Sequence, residues 1–310
     1  MIQRVLVPLD GSDMAAQVLP HVRALATVFG SRVTLMRATA DDVPNEDIGP
    51  GPDFLAFAAA DLASTGIVAD TLVVQGRPAD AILDTAAQQS VDLIAMCTHG
   101  RGGIRRFVLG SVAASLIGST SMPLLLVRGK PASDDGVPTQ TIDFQKILVP
   151  LDGSPLAASV LPLVAEMAAK TGATVLLLRV MPEPNEEAAT SNSIQMLRSI
   201  TGVKSEGADG APADPYANQL EREREGAQSS LDLAAADLRP LGVKTETIVE
   251  FGPAAETILR VASTQQADLV AMGTHGRSGL RRFLLGSVAD RIVRYCDAPV
   301  LLMPNLAAAK

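Results

Sequence analysis

Short apolar runs alternate with alanine-rich stretches of helical spacing along the chain. In its first part, apolar and β-branched runs predict strands at roughly 2–8, 32–38, 68–75, 91–96 and 123–128. The intervening pattern predicts helices at roughly 13–29, 53–64, 78–89 and 111–119. Strands separated by helices are expected to pair in parallel through right-handed crossovers, which predicts an α/β fold.

The second part of the chain repeats this pattern. Its strands are predicted near 146–151, 173–180, 243–250, 268–272 and 299–303. A continuous apolar run such as Val175-Leu-Leu-Leu178 predicts a strand that is covered on both faces of the sheet. Pro20 and Pro162 fall inside the first helix of each part, where a proline is expected to kink the helix.

Several phrases of sequence occur twice. Residues 4–12 return almost unchanged as residues 146–154, and residues 97–111 return as 273–287 with eleven of fifteen residues identical. Gln75-Gly-Arg-Pro78 returns as Phe251-Gly-Pro253, one residue shorter. The chain therefore reads as two copies of one domain.

We place these domains at 1–130 and 145–310, joined by a linker at 131–144 that has the composition of a loop. Asp10 and Cys97 are 87 positions apart, whereas their counterparts Asp152 and Gly273 are 121 apart, so the second copy carries 34 more residues. The Pro-, Gly- and Ser-rich segment at about 182–222 is the expected insertion.

Composition and charge narrow the class of protein. The 310 residues are about two domains long, and 47% of them are apolar, which suffices for two cores. A net charge of −8, with no dense run of Lys or Arg, disfavours nucleic acid and anionic membrane as partners. The two cysteines lie far apart and predict neither a disulfide framework nor a zinc site. We expect a cytoplasmic protein, since no signal peptide or membrane span is recognisable.

The repeated glycine-rich phrase is the main candidate for chemistry. In the second copy it follows the apolar run Leu269-Val-Ala-Met272 and precedes a helix-like segment after Ser287. Glycine has no Cβ, so backbone N–H groups in such a loop can approach a phosphate closely. The N-terminus of the following helix adds a partial positive charge. Strand, glycine loop and helix together predict an anion site.

Asp10 and Asp152 directly follow the first strand of each copy. In an open α/β sheet, ligands bind at this carboxyl end, so the aspartate could accept hydrogen bonds from a ribose or lie near a metal. The alternative is an Asp-Gly-Ser turn in which Ser12 or Ser154 caps a helix. The glycine loop favours the binding interpretation because it should open into the same crevice.

Each half resembles a universal stress protein domain. Nucleotide-binding members of that family carry the motif G-x2-G-x9-G-[ST], and residues 273–287 match every position. The Pro-Leu-Asp-Gly-Ser opening and the last apolar strand match as well, so the resemblance covers nearly the whole chain apart from the linker and the insertion. It implies two tandem five-stranded parallel, doubly wound (Rossmann-like) domains with strand order 3-2-1-4-5.

The resemblance also implies ATP as ligand, with Mg²⁺ held mainly by phosphate oxygens and water. Carried over by position, the second-half site residues are Pro150, Asp152 and Val180 for adenine and ribose, Met272 and Gly273 beside the ribose, and Gly276, Gly286, Ser287 and Val288 for the phosphates. The first-half counterparts are Pro8, Asp10, Ala38, Met96, Gly100, Gly110, Ser111 and Val112.

The first half departs from the motif at Cys97, which stands where the first glycine belongs. Its sulfur is expected to crowd the ribose, or to strain the backbone if φ there must be positive. Beside the second glycine, His99 and His275 are expected to form hydrogen bonds within the loop; the alternative is a ligand contact or a proton shuttle. The nearby arginines are candidates for phosphate contacts: Arg101, Arg105, Arg106, Arg277, Arg281 and Arg282.

The implied function is an ATP-binding stress sensor or regulator with at most slow hydrolysis. The alternative is a nucleotide-free protein-interaction module of the same fold. An enzyme ranks last, because the sequence contains no Ser/His/Asp arrangement or Walker-type lysine beside the glycines. The last strands of the two halves are expected to pair as an intramolecular pseudo-dimer, which would cover two sheet edges. Further self-association into a homo-oligomer is left open.

Overall fold

The structure is a computed structural model that describes residues 2–39, 52–98, 109–129, 142–183, 215–274 and 285–304. The strands of the first half are β1 Arg4–Pro8, β2 Arg32–Thr39, β3 Ala69–Gln75, β4 Leu93–Cys97 and β5 Leu124–Val127. Its helices are α1 Asp13–Ala16, α2 Leu19–Phe29, α3 Pro52–Ala63, α4 Pro78–Gln88 and α5 Ser111–Ser119.

The second half has the same order of elements. Its strands are β6 Lys146–Pro150, β7 Thr174–Met181, β8 Lys244–Phe251, β9 Leu269–Gly273 and β10 Val300–Met303. Its helices are α6 Pro155–Ala158, α7 Leu161–Thr171, α8 Pro215–Leu238, α9 Ala254–Thr264 and α10 Ser287–Tyr295, with a 3₁₀ turn at Arg239–Leu241 after α8.

The described strands form one sheet in the order β3-β2-β1-β4-β5-β10-β9-β6-β7-β8. Within each half the order is 3-2-1-4-5 and neighbouring strands are parallel. The halves meet where β5 and β10 pair antiparallel, with Leu125 opposite Leu301. The α/β fold class and the pairing of the two last strands are therefore confirmed.

Helices cover both faces of the sheet, and two apolar cores run through both halves. The core on the first face contains side chains from α1–α3 and α6–α8, such as Leu25, Leu55 and Val164. The core on the second face contains side chains from α4, α5, α9 and α10, such as Ile82 and Ile292. Because each core includes residues of both halves, the two repeats are packed into one body.

The prediction of a single kinked helix at 13–29 is wrong. The chain forms α1 and then α2, and Pro20 lies in the first turn of α2. The same break separates α6 from α7, with Pro162 in the first turn of α7. A proline is tolerated there because the first amides of a helix have no intrahelical acceptor.

The structure also corrects the prediction that the second copy is one residue shorter before the helix that follows its edge strand, which is α4 in the first half and α9 in the second. Helix α4 is capped by Arg77 and helix α9 by Pro253, each directly after the glycine that follows the edge strand, and both helices have 11 residues. The second copy is therefore not one residue shorter here; its proline is shifted by one position. Helix α8, with 24 residues, begins inside the predicted insertion and is twice as long as its counterpart α3, which has 12.

No helix in the described parts of the chain is both long enough and apolar enough to cross a membrane.

Candidate ligand-binding site

A cavity of ≈ 340 Å³ opens at the carboxyl ends of β6, β7 and β9 in the second half. Among the residues that line it are most of those predicted from the sequence: Pro150, Asp152, Val180, Met272, Gly273, Gly286, Ser287 and Val288. Gly276 lies outside the described residues. The structure thus places residues from four separate stretches of the chain around one cavity.

Asp152 is held in a turn that connects β6 to α6. Its Oδ1 accepts a hydrogen bond from the Ser154 backbone amide at 2.8 Å, and the Ser154 hydroxyl accepts one from the Ala157 amide at 3.1 Å. Gly153 adopts φ 82°, which favours glycine. The two interpretations of this aspartate are therefore compatible, because Asp152 stabilises the capping turn and also lines the cavity.

The first half contains the same turn. Asp10 Oδ1 accepts hydrogen bonds from the Ser12 amide at 2.9 Å and from the Ser12 hydroxyl at 2.6 Å. The Ser12 oxygen in turn accepts a hydrogen bond from the Ala15 amide at 3.2 Å. Both serines cap the following helix, as the sequence predicts.

The backbone of Thr274 forms hydrogen bonds with β10 and with the start of α10. Its amide donates to the Met303 carbonyl at 3.0 Å, and its carbonyl accepts from the Gly286 amide at 3.0 Å. Gly286 is the N-cap of α10, so this bond fixes where the helix begins beside the cavity. Thr274 also lines the cavity and was missed by the sequence analysis, because its side chain lies between motif glycines where the motif allows any residue.

The first half repeats this arrangement. The Thr98 amide donates to the Val127 carbonyl at 2.8 Å, and the Gly110 amide donates to the Thr98 carbonyl at 2.9 Å. The predicted first-half residues lie on the equivalent elements: Pro8 in β1, Ala38 in β2, Met96 in β4, Gly110 and Ser111 at the start of α5, Val112 within α5, and Asp10 after β1. Gly100 lies outside the described residues.

One wall of the cavity is apolar. It includes Leu178 from β7, and Ala254 and Ile258 from α9. The sequence analysis assigned none of these three to the site, because a helix residue that faces a cavity carries the same apolar pattern as one that faces the core. Among the described lining residues, Asp152 is the one ionisable side chain. The cavity therefore combines an apolar wall, one acid and the N-terminus of α10.

The Cys97 side chain is packed in the interior, and crowding of a ligand by its sulfur stays a prediction. Its side chain is 5% exposed and belongs to the first-face core, together with Val18 and Leu19. Successive strand side chains alternate between faces, so Met96 contributes to the opposite core. Burial raises the pKa of the Cys97 thiol to about 12.

The expected backbone strain at Cys97 is wrong, since the non-glycine residues with positive φ in the described chain are Ser90 and Gln266. Its counterpart Gly273 serves packing: a Cβ added there would lie 3.0 Å from the Leu156 carbonyl oxygen of α6. Glycine at this position thus allows α6 to pack closely against the end of β9, on the face of the sheet away from the apolar wall.

The remaining candidates are not placed at the site. His99, His275 and the six loop arginines lie outside the described residues. Cys296 is buried, and burial raises the pKa of its thiol to about 11, as expected for a packed cysteine. The described residues contain no group of three or more His, Cys, Asp or Glu side chains that could hold a metal ion.

Comparison with known proteins identifies the family. Residues 1–128 and 143–304 each match the universal stress protein family, and the chain belongs to that family. A universal stress protein from Methanocaldococcus jannaschii is 26% identical over 164 residues, which are 53% of this chain and 96% of that protein. One from Mycolicibacterium smegmatis is 26% identical over 242 residues, covering 77% of this chain and 69% of that protein.

A solved structure shows the same fold across both halves. The crystal structure of a universal stress protein from Archaeoglobus fulgidus has a TM-score of 0.64 to this chain. The match covers 98% of this chain and 99% of that chain, at 17% sequence identity. The tandem arrangement therefore also occurs in a solved relative.

Proposed function

We propose that this universal stress protein binds ATP in the second-half cavity and acts as a stress-response sensor or regulator through its nucleotide-loaded state. The observation that carries the proposal is the composition of the cavity. An apolar wall suited to a planar base, an acid suited to ribose hydroxyls and a helix N-terminus suited to phosphate surround one space.

The residues divide by chemistry. Leu178, Val180 and Ile258 would pack against the adenine, and the Asp152 carboxylate would accept hydrogen bonds from the ribose. The amides at Ser287 and Val288 belong to the first turn of α10, where they lack intrahelical acceptors and would donate to phosphate oxygens. Bound Mg²⁺ would neutralise part of the triphosphate charge.

Slow hydrolysis at most is expected. The described lining carries no base besides Asp152, and our assignment places that carboxylate at the sugar and away from the phosphates. Phosphoryl transfer requires a positioned water and stabilisation of charge on the transferred group. The site therefore supports binding, with the protein responding to which nucleotide is present.

Isothermal titration calorimetry with ATP tests the proposal. Gly286→Val places a branched side chain at the N-cap of α10 and is expected to weaken binding by at least about tenfold, because it blocks phosphate approach. Gly226→Ala is the matched control, since space around Gly226 is open and it lies on α8, outside the cavity lining. Full retention of ATP by Gly286→Val would contradict the phosphate assignment. No binding by the wild-type protein would instead favour a nucleotide-free interaction module.

We further propose that the halves, 1–130 and 145–310, are domains that each hold one nucleotide. Because Cys97 is buried in the first-face core, Cys97→Gly is expected to leave the stoichiometry unchanged. A stoichiometry that rises from one to two in this variant would show that the cysteine blocks the first site.

A further inference from the structure

An arginine occupies the same place in both halves, inside an otherwise apolar strand. Arg37 lies in β2 and Arg179 in β7, each five residues after the strand begins. Arg37 is only 6% exposed. A cation buried this far is costly unless its donors are used, so its place in both strands calls for a specific partner.

One partner of Arg179 is a backbone group beside the cavity. Its Nη1 donates a hydrogen bond to the Leu151 carbonyl at 3.2 Å. The Leu151 amide donates to the Leu178 carbonyl, also in β7, at 2.8 Å. Both polar groups of Leu151 are therefore held from β7, although Leu151 lies beyond the end of β6.

Leu151 directly precedes Asp152, and both line the cavity. The Asp152 carboxylate also accepts a hydrogen bond from the Ser154 amide. Its position is therefore set by contacts to the residue before it and to the second residue after it. Arg179 itself is not among the lining residues: Leu178 and Val180, its strand neighbours, face the cavity, and alternation turns Arg179 to the opposite face. It thus reaches the site through the backbone.

We propose that Arg179 is a positioning residue: by holding the Leu151 carbonyl, it sets the Asp152 carboxylate in place for the sugar hydroxyls of a bound nucleotide. This inference rests on the proposed function. The first half has the matching elements, since the Leu9 amide donates to the Met36 carbonyl at 2.8 Å and Arg37 follows Met36. By its equivalent position in β2, the proposal extends to Arg37 and Asp10.

The test compares affinities for ATP and for 2′,3′-dideoxy-ATP, which lacks both ribose hydroxyls. Measurements are made in a Gly110→Val background, which is expected to prevent nucleotide binding in the first half. Arg179→Met is expected to lower the affinity for ATP about tenfold, the size of one lost hydrogen bond to a charged group, with little change for the dideoxy analogue. Arg179→Lys, which keeps a donor, is expected to recover part of the loss.

A double variant tests whether Arg179 acts by positioning Asp152 or by a general effect on the structure. The double variant Arg179→Met with Asp152→Asn is expected to bind ATP no more weakly than Asp152→Asn alone, because the arginine acts through that carboxylate. Arg260→Met is the matched control: Arg260 pairs with Glu250 and lies outside the lining. Equal losses for both nucleotides, or losses that add in the double variant, would overturn the inference.

A ligand-free measurement keeps this inference distinct from the proposed function. If the wild-type protein binds no nucleotide, the proposed function fails, and hydrogen exchange at the Ser154 amide decides on Arg179. Because that amide donates to Asp152, its exchange is expected to be several-fold faster in Arg179→Met and unchanged in Arg260→Met. Unchanged exchange in both variants would show that Arg179 does not set the turn.

Discussion

His21 is a buried, ionisable side chain at a position where the second repeat has an apolar residue. It lies in the first turn of α2, where the equivalent position of α7 holds Leu163. Its Nδ1 is buried and has no hydrogen-bond partner in the described structure. Burial lowers the pKa of the imidazole to about 4, from an ordinary value of 6.5.

This shift predicts acid sensitivity. Between about pH 6.5 and 4 the unfolded chain binds a proton at His21 that the folded protein does not, so stability falls as the pH decreases through that window. At about pH 4.5 the loss should be ~2–3 kcal/mol relative to neutral pH. His21→Leu, which copies the second half, is expected to remove it. Urea unfolding of both proteins at neutral pH and at about pH 4.5 measures the difference.

The contributions of other titrating groups cancel when wild type and His21→Leu are compared at each pH. A stability difference between the two proteins that stays constant from neutral pH to about pH 4.5 would show that His21 is not buried as described.

Both cysteines are predicted to be chemically inert in the folded protein. Cys97 and Cys296 are 5% and 4% exposed, and burial raises their pKa values to about 12 and about 11. At about pH 8, on the order of one Cys97 in ten thousand is thiolate, the form that reacts. Titration with Ellman's reagent should detect no fast thiol in the native protein and both thiols in guanidinium chloride. A fast native reaction would contradict the packing of that cysteine.

At the scale of elements, a glycine inside α8 and another beyond its end, Gly226 and Gly242, are predicted to respond oppositely to the same substitution. Gly226 lies within α8 with open space around it, so Gly226→Ala should stabilise the protein by about 0.5–1 kcal/mol. Gly242 adopts φ 74° after the 3₁₀ turn, so Gly242→Ala should destabilise it by about 1 kcal/mol. Urea unfolding midpoints measure both, and shifts of the same sign would contradict the assigned helix end.

Elements were predictable from sequence where a local signal decides them. Apolar runs located each strand to within about two residues, and the serine caps after β1 and β6 were recognised. The break between α1 and α2 was missed because Pro20 suits both a kinked helix and a first turn, and only packing distinguishes these.

The site could be predicted only as far as its motif reaches. Glycines and the aspartate mark the loops, but the wall formed by Ala254 and Ile258 depends on how α9 lies across the sheet. The side of the strand that Cys97 faces depends in the same way on tertiary structure, because residues beside a motif alternate between faces. Arg179 was missed because its partner, the Leu151 carbonyl, has no sequence signature.

At the scale of the whole molecule, the antiparallel pair β5–β10 joins the repeats into one sheet. Leu125 and Leu301 lie opposite each other there and are 1% and 3% exposed. Arg128 adds a contact between the halves, because its Nη1 donates to the Tyr295 carbonyl at 3.3 Å and to Asp297 Oδ1 at 3.2 Å. A sheet that runs on through this junction, with cores shared on both faces, is expected to unfold as one cooperative unit.

The natural tyrosines allow this to be tested without added probes. The chain has no tryptophan, and its two tyrosines, Tyr216 and Tyr295, both lie in the second half, so tyrosine fluorescence follows that half alone. Leu125→Ala removes a buried side chain from the first half and should cost about 2–5 kcal/mol. If the halves unfold together, the fluorescence midpoint falls as far as the midpoint from circular dichroism, which follows both halves.

The exposed Leu241 provides the control, since Leu241→Ala should shift neither midpoint appreciably. A fluorescence midpoint unchanged by Leu125→Ala would mean that each repeat unfolds independently and that the junction between β5 and β10 contributes little to stability.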